Sequence, residues 1–263
     1  MSDRNQETYK MPHIVRYYSQ ISLLQPAELA IAERLKDRLS ELKMLDIGIG
    51  GGRTTKHFYP LVKEYTGIDY SEEMIAICQQ RFIHSSQSIT LEVGDARKMR
   101  FADNSFDFIL FSFNGIDYVS HGDRLQILSE IQRVGKPGCY VCFSSHNLQA
   151  VEKLFVFKER ISLNPLKTYV NLVMFALLRL FNRGIDRDRI KNSSHLILRD
   201  ESHNFRLQTY HIRPDEQIKQ LAANFQDIDI YSWQSGQKIL DAGDRALDTD
   251  LWLYYFCTVN SQP

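Results

Sequence analysis

Residues 45–53 read LDIGIGGGR: a short apolar run breaks directly into four glycines within five positions. The run before the glycines, KMLDIG over 43–48, is too short to be a helix and reads as a strand. The stretch after them, GRTTKHFYPLV over 52–62, has helical patterning. Glycines between a strand and a helix permit positive φ and let a ligand lie against bare backbone. The helix that follows offers free N–H groups and the positive end of its dipole. A nucleotide, a phosphate and a plain tight turn are the three readings of such a unit. A phosphate-binding P-loop is excluded, because no Gly-Lys-Ser/Thr follows. The dinucleotide fingerprint G-x-G-x-x-G, counted from Gly48, needs a third glycine where Arg53 stands.

The surrounding chain repeats the strand–helix unit. EYTGIDYS is a second strand, and SEEMIAICQQRF a helix opened by Ser71 with Glu72 and Glu73 in its first turn. ITLEVGDA and SFDFILFSFN are strands three and four, DRLQILSEIQRV is a helix that stops at GKPG, and CYVCFSSHN is strand five. Alternation from 43 to 147 predicts parallel strands with crossover helices on both faces of one sheet. FDFILFSF is apolar on both faces, as a central parallel strand should be. The rhythm breaks over 149–209, where the pattern predicts a long apolar helix, a basic stretch and a hairpin (HLILRD, then FRLQTYHI). It resumes with the helix PDEQIKQLAANF and the strands FQDIDIYSW and LWLYYFCTV.

Two acids stand at strand ends. Asp69 closes the second strand, where a carboxylate can accept hydrogen bonds from ribose hydroxyls. Asp95 closes the third, where it can accept from an adenine amino group while Ala96 offers a backbone N–H. With the glycine turn these motifs resemble the class I S-adenosylmethionine-dependent methyltransferases over roughly residues 40–147, and again over 210–258. The resemblance implies one methyltransferase domain over 1–263, with N-terminal helices at 13–42 and an inserted acceptor or lid region at 149–209. It implies an α/β, Rossmann-like, doubly wound sheet of seven strands in the order 3-2-1-4-5-7-6, with the last strand antiparallel. S-adenosyl-L-methionine would be the cofactor, its methionine part against Gly48, Gly50 and Gly52 and its ammonium near Asp46. Asp69 would hold the ribose, Tyr70 and Met74 would flank the adenine, Asp95 and Ala96 would meet its edge, and Asn114 would lie at the methionine end. An N-terminal aromatic, Tyr18 in preference to Tyr17, would close over the site. Ile49 departs from the family pattern, which favours a small residue or Cys there.

Chemistry is expected beyond the carboxyl ends of the strands, at Asn114, Asp117 and Tyr118 and at Ser145, His146 and Asn147. Methyl transfer can proceed by orientation alone, but an oxygen acceptor benefits from a base, and a histidine suits that role. His146 is the first candidate, with His121 and His211 as alternatives. The acceptor implied is a small or lipid-like molecule methylated at oxygen or nitrogen. A non-catalytic S-adenosylmethionine-binding protein and an NAD-dependent oxidoreductase are the competing readings.

Thirty-two Lys and Arg balance thirty-two Asp and Glu, which argues against a dedicated nucleic-acid binder. Between Lys158 and Lys191, however, eight basic residues face three acidic ones. In NPLKTYVNLVMFALLRLFNR, Thr168, Asn171, Arg179 and Asn182 share one narrow helical stripe and the rest is broadly apolar. That helix is expected either to pack as a lid or, through 165–191, to contact a membrane surface. The polar N-terminus lacks a signal core, and no run reaches the length of a membrane span. Cys139 and Cys142 of CYVC point to opposite strand faces, so neither a metal site nor a disulfide is expected, and a cytoplasmic setting fits.

Overall fold

Strand–helix alternation builds a twisted, mostly parallel sheet with helices on both faces. The structure is a computed structural model that describes residues 20–85, 89–200 and 205–260. Helix α1 (Pro26–Leu35) begins with a proline in its first turn and a capping box between Gln25 and Glu28. Then come β1 (Lys43–Ile47), α2 (Thr55–Phe58), β2 (Glu64–Asp69), α3 (Glu72–Arg81), β3 (Ile89–Val93), β4 (Phe106–Phe111), α4 (His121–Val134) and β5 (Gly135–Asn147). The insertion carries α5 (Leu148–Val151), α6 (Pro165–Phe181), α7 (Arg187–Asn192), β6 (His195–Leu198) and β7 (Thr209–Ile212). The chain closes with α8 (Pro214–Leu221), β8 (Phe225–Ser232), β9 (Lys238–Ile239), α9 (Arg245–Thr249) and β10 (Trp252–Val259). Among the described residues, no helix is long and apolar enough to cross a membrane.

The sheet runs β3-β2-β1-β4-β5-β10-β8-β9, with β10 antiparallel to both its neighbours. Its first seven strands have the order 3-2-1-4-5-7-6 expected from the sequence. Among the described residues the sheet has ten strands rather than seven. Strand β9 is a two-residue edge piece, and β6 and β7 form the expected antiparallel hairpin. The hairpin joins the main sheet. β7 runs parallel to the end of β5 through His146↔His211 and Asn147↔Ile212, on the side that β4 occupies lower down. It therefore extends the sheet above the carboxyl end of β4, where a ligand site is expected.

One core cluster packs α4 and α8 on one face of the sheet, with Ile127, Leu128, Ile131 and Leu221 against Ile109, Phe143 and Tyr255. The other packs α1 and α2, with Ile31, Leu35 and Phe58 against Met44, Phe108 and Phe256. Cys139 belongs to the first cluster and Cys142 to the second, as strand alternation requires, and all four cysteines are free and buried. No group of residues suited to a metal occurs among the described residues. Helix α2 is shorter than the pattern over 52–62 implies. It ends two residues before Pro60, which lacks the N–H of a continuing turn.

The insertion has its own core, in which Leu178 of α6 meets Leu148, Val151, Phe155, Ile190 and Leu196. The polar stripe of α6 faces the protein. The Thr168 hydroxyl donates to the Ser162 carbonyl, Asn171 donates to the Arg160 carbonyl, and Asn182 donates to the Arg199 carbonyl.

The unusual Ile49 is accommodated by a neighbouring glycine. A Cβ on Gly67 would stand 3.0 and 3.1 Å from Ile49 Cδ1 and Cγ2 and 3.1 Å from Leu91. Ile49 thus fills space that β2 leaves empty, together with Ile75 and Cys78. Gly67→Ala should destabilise the protein by about 1–3 kcal/mol through overpacking. Combined with Ile49→Ala, the cost should fall below the sum of the single variants by about 0.5 kcal/mol or more, as measured by urea unfolding.

Candidate active site

The turn after β1 carries Gly48 at φ +69° and Gly50 at φ +52°, left-handed conformations that favour glycine, and both residues line a cleft. The Gly48 and Ile49 amides donate to the Ile68 carbonyl, which clamps the turn onto β2. The Gly50 amide donates to Asp69 Oδ2 at 2.9 Å, and the Ser71 amide donates to Asp69 Oδ1 at 2.9 Å. Asp69 therefore ties the glycine turn to the start of α3. Burial raises its pKa, and the amides of Ser71 and Gly50 oppose that rise. Its two oxygens keep lone pairs for further donors facing the cleft.

Around the same cleft stand Tyr70, Met74, Asp95 and Ala96, with Ile47, Phe111, Phe113 and Tyr118 forming apolar wall. The cleft encloses about 990 Å³ of space, open solvent at its mouth included. Asp95 is held by Arg97 at 2.7 Å; burial alone would raise its pKa, but Arg97 keeps it below the usual value.

Three expected cofactor residues, Asp46, Gly52 and Asn114, do not line this cleft. Asp46 is buried away from the cleft, where its Oδ2 accepts from Thr54 and Tyr65 hydroxyls, both at 2.6 Å. Gly52 is glycine for a packing reason: a Cβ there would meet Phe82 at 2.7 Å and Cys78 Sγ at 2.8 Å. Tyr17 and Tyr18 lie outside the described residues.

Arg53, which breaks the dinucleotide pattern, is buried. Its Nη1 and Nη2 donate to Glu28 Oε2 and Oε1 at 2.5 and 2.6 Å, and Nη2 also donates to Ser112 Oγ. The guanidinium lies 5.0 Å from the Phe113 ring. Burial alone would raise the Glu28 pKa, but Arg53 holds it below the usual value.

Beyond β4, Phe113 and Asn114 take consecutive positive φ values of 57° and 60°. Such strain persists where the surroundings over-determine it. Here the Asn114 amide donates to Ser144 Oγ at 2.7 Å. Asn114 does not line the cleft wall as defined above, but its Oδ1 is buried with no partner. Its Nδ2 is 3.4 Å from His146 Nε2.

His146 forms a dyad with Asp117. Its Nδ1 is 2.7 Å from Asp117 Oδ2, which also accepts from the His146 amide at 2.6 Å. Asp117 and Arg124 are fully buried and paired, and Arg124 reaches Ser145 Oγ and Gln217 Oε1 as well. Burial alone would raise the Asp117 pKa, but the charge of Arg124 outweighs it and keeps the carboxylate low. An ionised Asp117 takes the Nδ1 proton as a hydrogen bond, which leaves the lone pair of neutral His146 on Nε2. The alternative histidines are engaged otherwise. His121 Nδ1 meets the Tyr210 hydroxyl at 2.8 Å, and His211 Nδ1 meets the Thr209 carbonyl at 3.0 Å.

Arg124 and Glu28 were missed by sequence reasoning, although a signal exists for each. Arg124 precedes Ile127, Leu128 and Ile131 on one helical stripe, and Glu28 shares a stripe with Ile31 and Leu35. A charge on the buried stripe of a helix points to an internal partner.

A Rossmann-like sheet with a glycine turn, a strand-end acid and an apolar cleft defines a binder of a nucleoside-bearing cofactor. A family model described as a methyltransferase domain matches residues 44–138. The chain is 28% identical over 213 residues to a demethylmenaquinone methyltransferase of Staphylococcus aureus (strain MRSA252), covering 79% of this chain and 77% of that one. With the same-named protein of strain JH9 it shares 34% over 146 residues, which is about half the length of that relative (55%). Its fold matches that of an S-adenosylmethionine-dependent methyltransferase from Mesorhizobium loti, with a TM-score of 0.59 at 17% identity over 88% of this chain and 97% of that one. Residues 44–138 carry a methyltransferase domain, and the matches support a class I S-adenosylmethionine-dependent methyltransferase with S-adenosylmethionine as its cofactor. The oxidoreductase reading falls away with the match to a methyltransferase domain.

Two predictions separate the roles of these groups. A Cβ on Gly50 meets nothing within 4 Å, so Gly50→Ala should weaken binding of S-adenosylhomocysteine at least tenfold, at a folding cost of about 1–2 kcal/mol. Gly52→Ala should instead lower the melting temperature strongly; calorimetric titration and thermal melts of both variants check this. Burial, opposed by the Thr54 and Tyr65 hydrogen bonds, pushes Asp46 up to about 7. A raised folded-state pKa means that its contribution to stability is complete below about pH 4 and is lost as pH rises through about 7. Asp46→Asn should therefore gain stability relative to the parent over that window, by up to about 1.4 kcal/mol per pH unit, in urea unfolding at stepped pH.

Proposed function

We propose that this methyltransferase transfers its methyl group to an oxygen or nitrogen of a small, lipid-like acceptor, with His146 as the base. The single observation that carries the reading is the buried Asp117–His146 dyad at the end of β5, beside the unpartnered Asn114 Oδ1. S-adenosylmethionine, when bound, supplies an electrophilic methyl on its sulfonium. The residues suited to hold it are Gly48 and Gly50 by close approach, Asp69 at the ribose, Tyr70 and Met74 beside the adenine, and Asp95 with Ala96 at its edge.

In this reading His146 Nε2, which meets Asn114 Nδ2 at 3.4 Å, takes a proton from an acceptor hydroxyl that replaces that contact, and Asp117 stabilises the imidazolium that results. Asn114 Oδ1 offers a second hydrogen bond that would fix the acceptor beside it. The apolar walls at Phe111, Phe113 and Tyr118 exclude water from the transfer. The relatives from Staphylococcus aureus are named for demethylmenaquinone, which supports a small-molecule acceptor here; that methylation forms a bond to a ring carbon, so the choice of oxygen or nitrogen rests on the dyad and not on those names. Peripheral membrane contact through 165–191 belongs to the same reading.

With reduced demethylmenaquinone and a panel of phenols as acceptors, the parent should form S-adenosylhomocysteine. His146→Ala should lower kcat by about 10²–10⁴ while leaving affinity for S-adenosylhomocysteine unchanged. Full turnover by His146→Ala with an acceptor that the parent methylates would refute the assigned base.

A further inference from the structure

Helix α6 buries Leu178, with Met174 and Leu177 partly buried beside it, and leaves a second apolar face outward. In an ordinary surface helix the apolar stripe faces the core and the polar face meets water. Here the polar stripe is consumed internally, through the bonds of Thr168, Asn171 and Asn182 to backbone carbonyls. The opposite face carries Leu166, Tyr169, Val170 and Val173, which are 71, 67, 50 and 40% exposed, and continues to Leu180 and Phe181. At 100° per residue these side chains fall within roughly 120° of arc, a continuous stripe. Soluble monomers rarely leave such a stripe uncovered.

Charge says what covers it. Eight Lys or Arg against three Asp or Glu between Lys158 and Lys191 leave five net positive charges, in a chain whose total charge is zero. Lys158, Lys167, Arg183 and Arg187 are exposed around the apolar stripe. The helix has 17 residues, about 25 Å of rise, which is short of a hydrocarbon core of about 30 Å.

We propose that α6 is a docking element that lies in the interface of an anionic membrane, with its apolar stripe inserted and the flanking basic side chains on the headgroups. The insertion that carries α6 also supplies β7, which pairs with β5 at His146. Docking α6 therefore brings the membrane and the dyad to one covalently continuous element. The inference deepens the lipid-like acceptor reading and rests on it for its purpose, while the outward apolar face stands independently of it.

The test is flotation of the full chain with vesicles of phosphatidylcholine alone and of phosphatidylcholine mixed with phosphatidylglycerol, at low and high salt. The mixed vesicles should retain the protein at low salt and lose most of it at high salt. Leu166→Asp combined with Val170→Asp should abolish flotation while leaving affinity for S-adenosylhomocysteine intact, which shows that the fold survives. Lys167→Glu combined with Arg183→Glu should weaken partitioning about tenfold or more. His146→Ala should float like the parent, so a failed base assignment and a failed docking surface are distinguishable. Absence of flotation with the mixed vesicles would overturn the proposal. So would flotation that the Leu166/Val170 variant retains, or a concentration-dependent dimer that this variant disrupts, which would make a second copy the occupant.

Discussion

The pair of Arg53 with Glu28 is the constraint on which the cofactor cleft rests. An isolated charge at either position would cost several kcal/mol to bury. Here both guanidinium nitrogens meet the two carboxylate oxygens, and the hydroxyls of Ser112 and Tyr254 close on Glu28 Oε1. Four elements converge on this pair: α1 through Glu28, the glycine turn through Arg53, the end of β4 through Ser112, and β10 through Tyr254. The turn that must hold Gly48 and Gly50 at positive φ is therefore anchored immediately after its last glycine. The N-terminal helix is bound to the site by charge as well as by the packing of Ile31 and Leu35.

A second buried pair, Asp117 with Arg124, does the same for the acceptor side. It links the turn after β4, α4, the end of β5 through Ser145 and α8 through Gln217. Its consequence is chemical, because an ionised Asp117 accepts the Nδ1 proton of His146 and leaves the Nε2 lone pair toward Asn114 Nδ2. The network is not fully satisfied: Arg124 Nε and Gln217 Nε2 are buried without partners. Such orphans cost stability, and the geometry they accompany is one that catalysis would use.

Much of the framework was legible in the sequence. The alternation over 43–147, the Ser71 cap and the 195–212 hairpin all occur where patterning put them, because each is governed by local periodicity or a local hydrogen bond. The cleft residues Gly48, Gly50, Asp69, Tyr70, Met74, Asp95 and Ala96 also come together as their positions at strand ends imply. Gly52 and Asp46 do not, since a glycine needed for close approach reads the same whether the neighbour is a ligand or Phe82. A strand-end acid likewise does not announce whether it faces the cleft or the Thr54 and Tyr65 hydroxyls.

Sequence alone determined that this chain forms a doubly wound α/β sheet with a glycine turn and strand-end acids, because a spacing of two or 3.6 residues dictates which side chains share a face. Only the tertiary structure decided which way those faces turn. Periodicity marked α6 as half apolar, but the carbonyls of Arg160, Ser162 and Arg199 drew Thr168, Asn171 and Asn182 inward, and Leu166, Tyr169, Val170 and Val173 stayed outside while Leu178 entered the core. The pairing of Asp117 with His146 across 29 residues, and of Glu28 with Arg53 across 25, likewise depends on strand order in space. No local pattern encodes that order, since the partners meet only once the sheet has brought β1, β4 and β5 side by side.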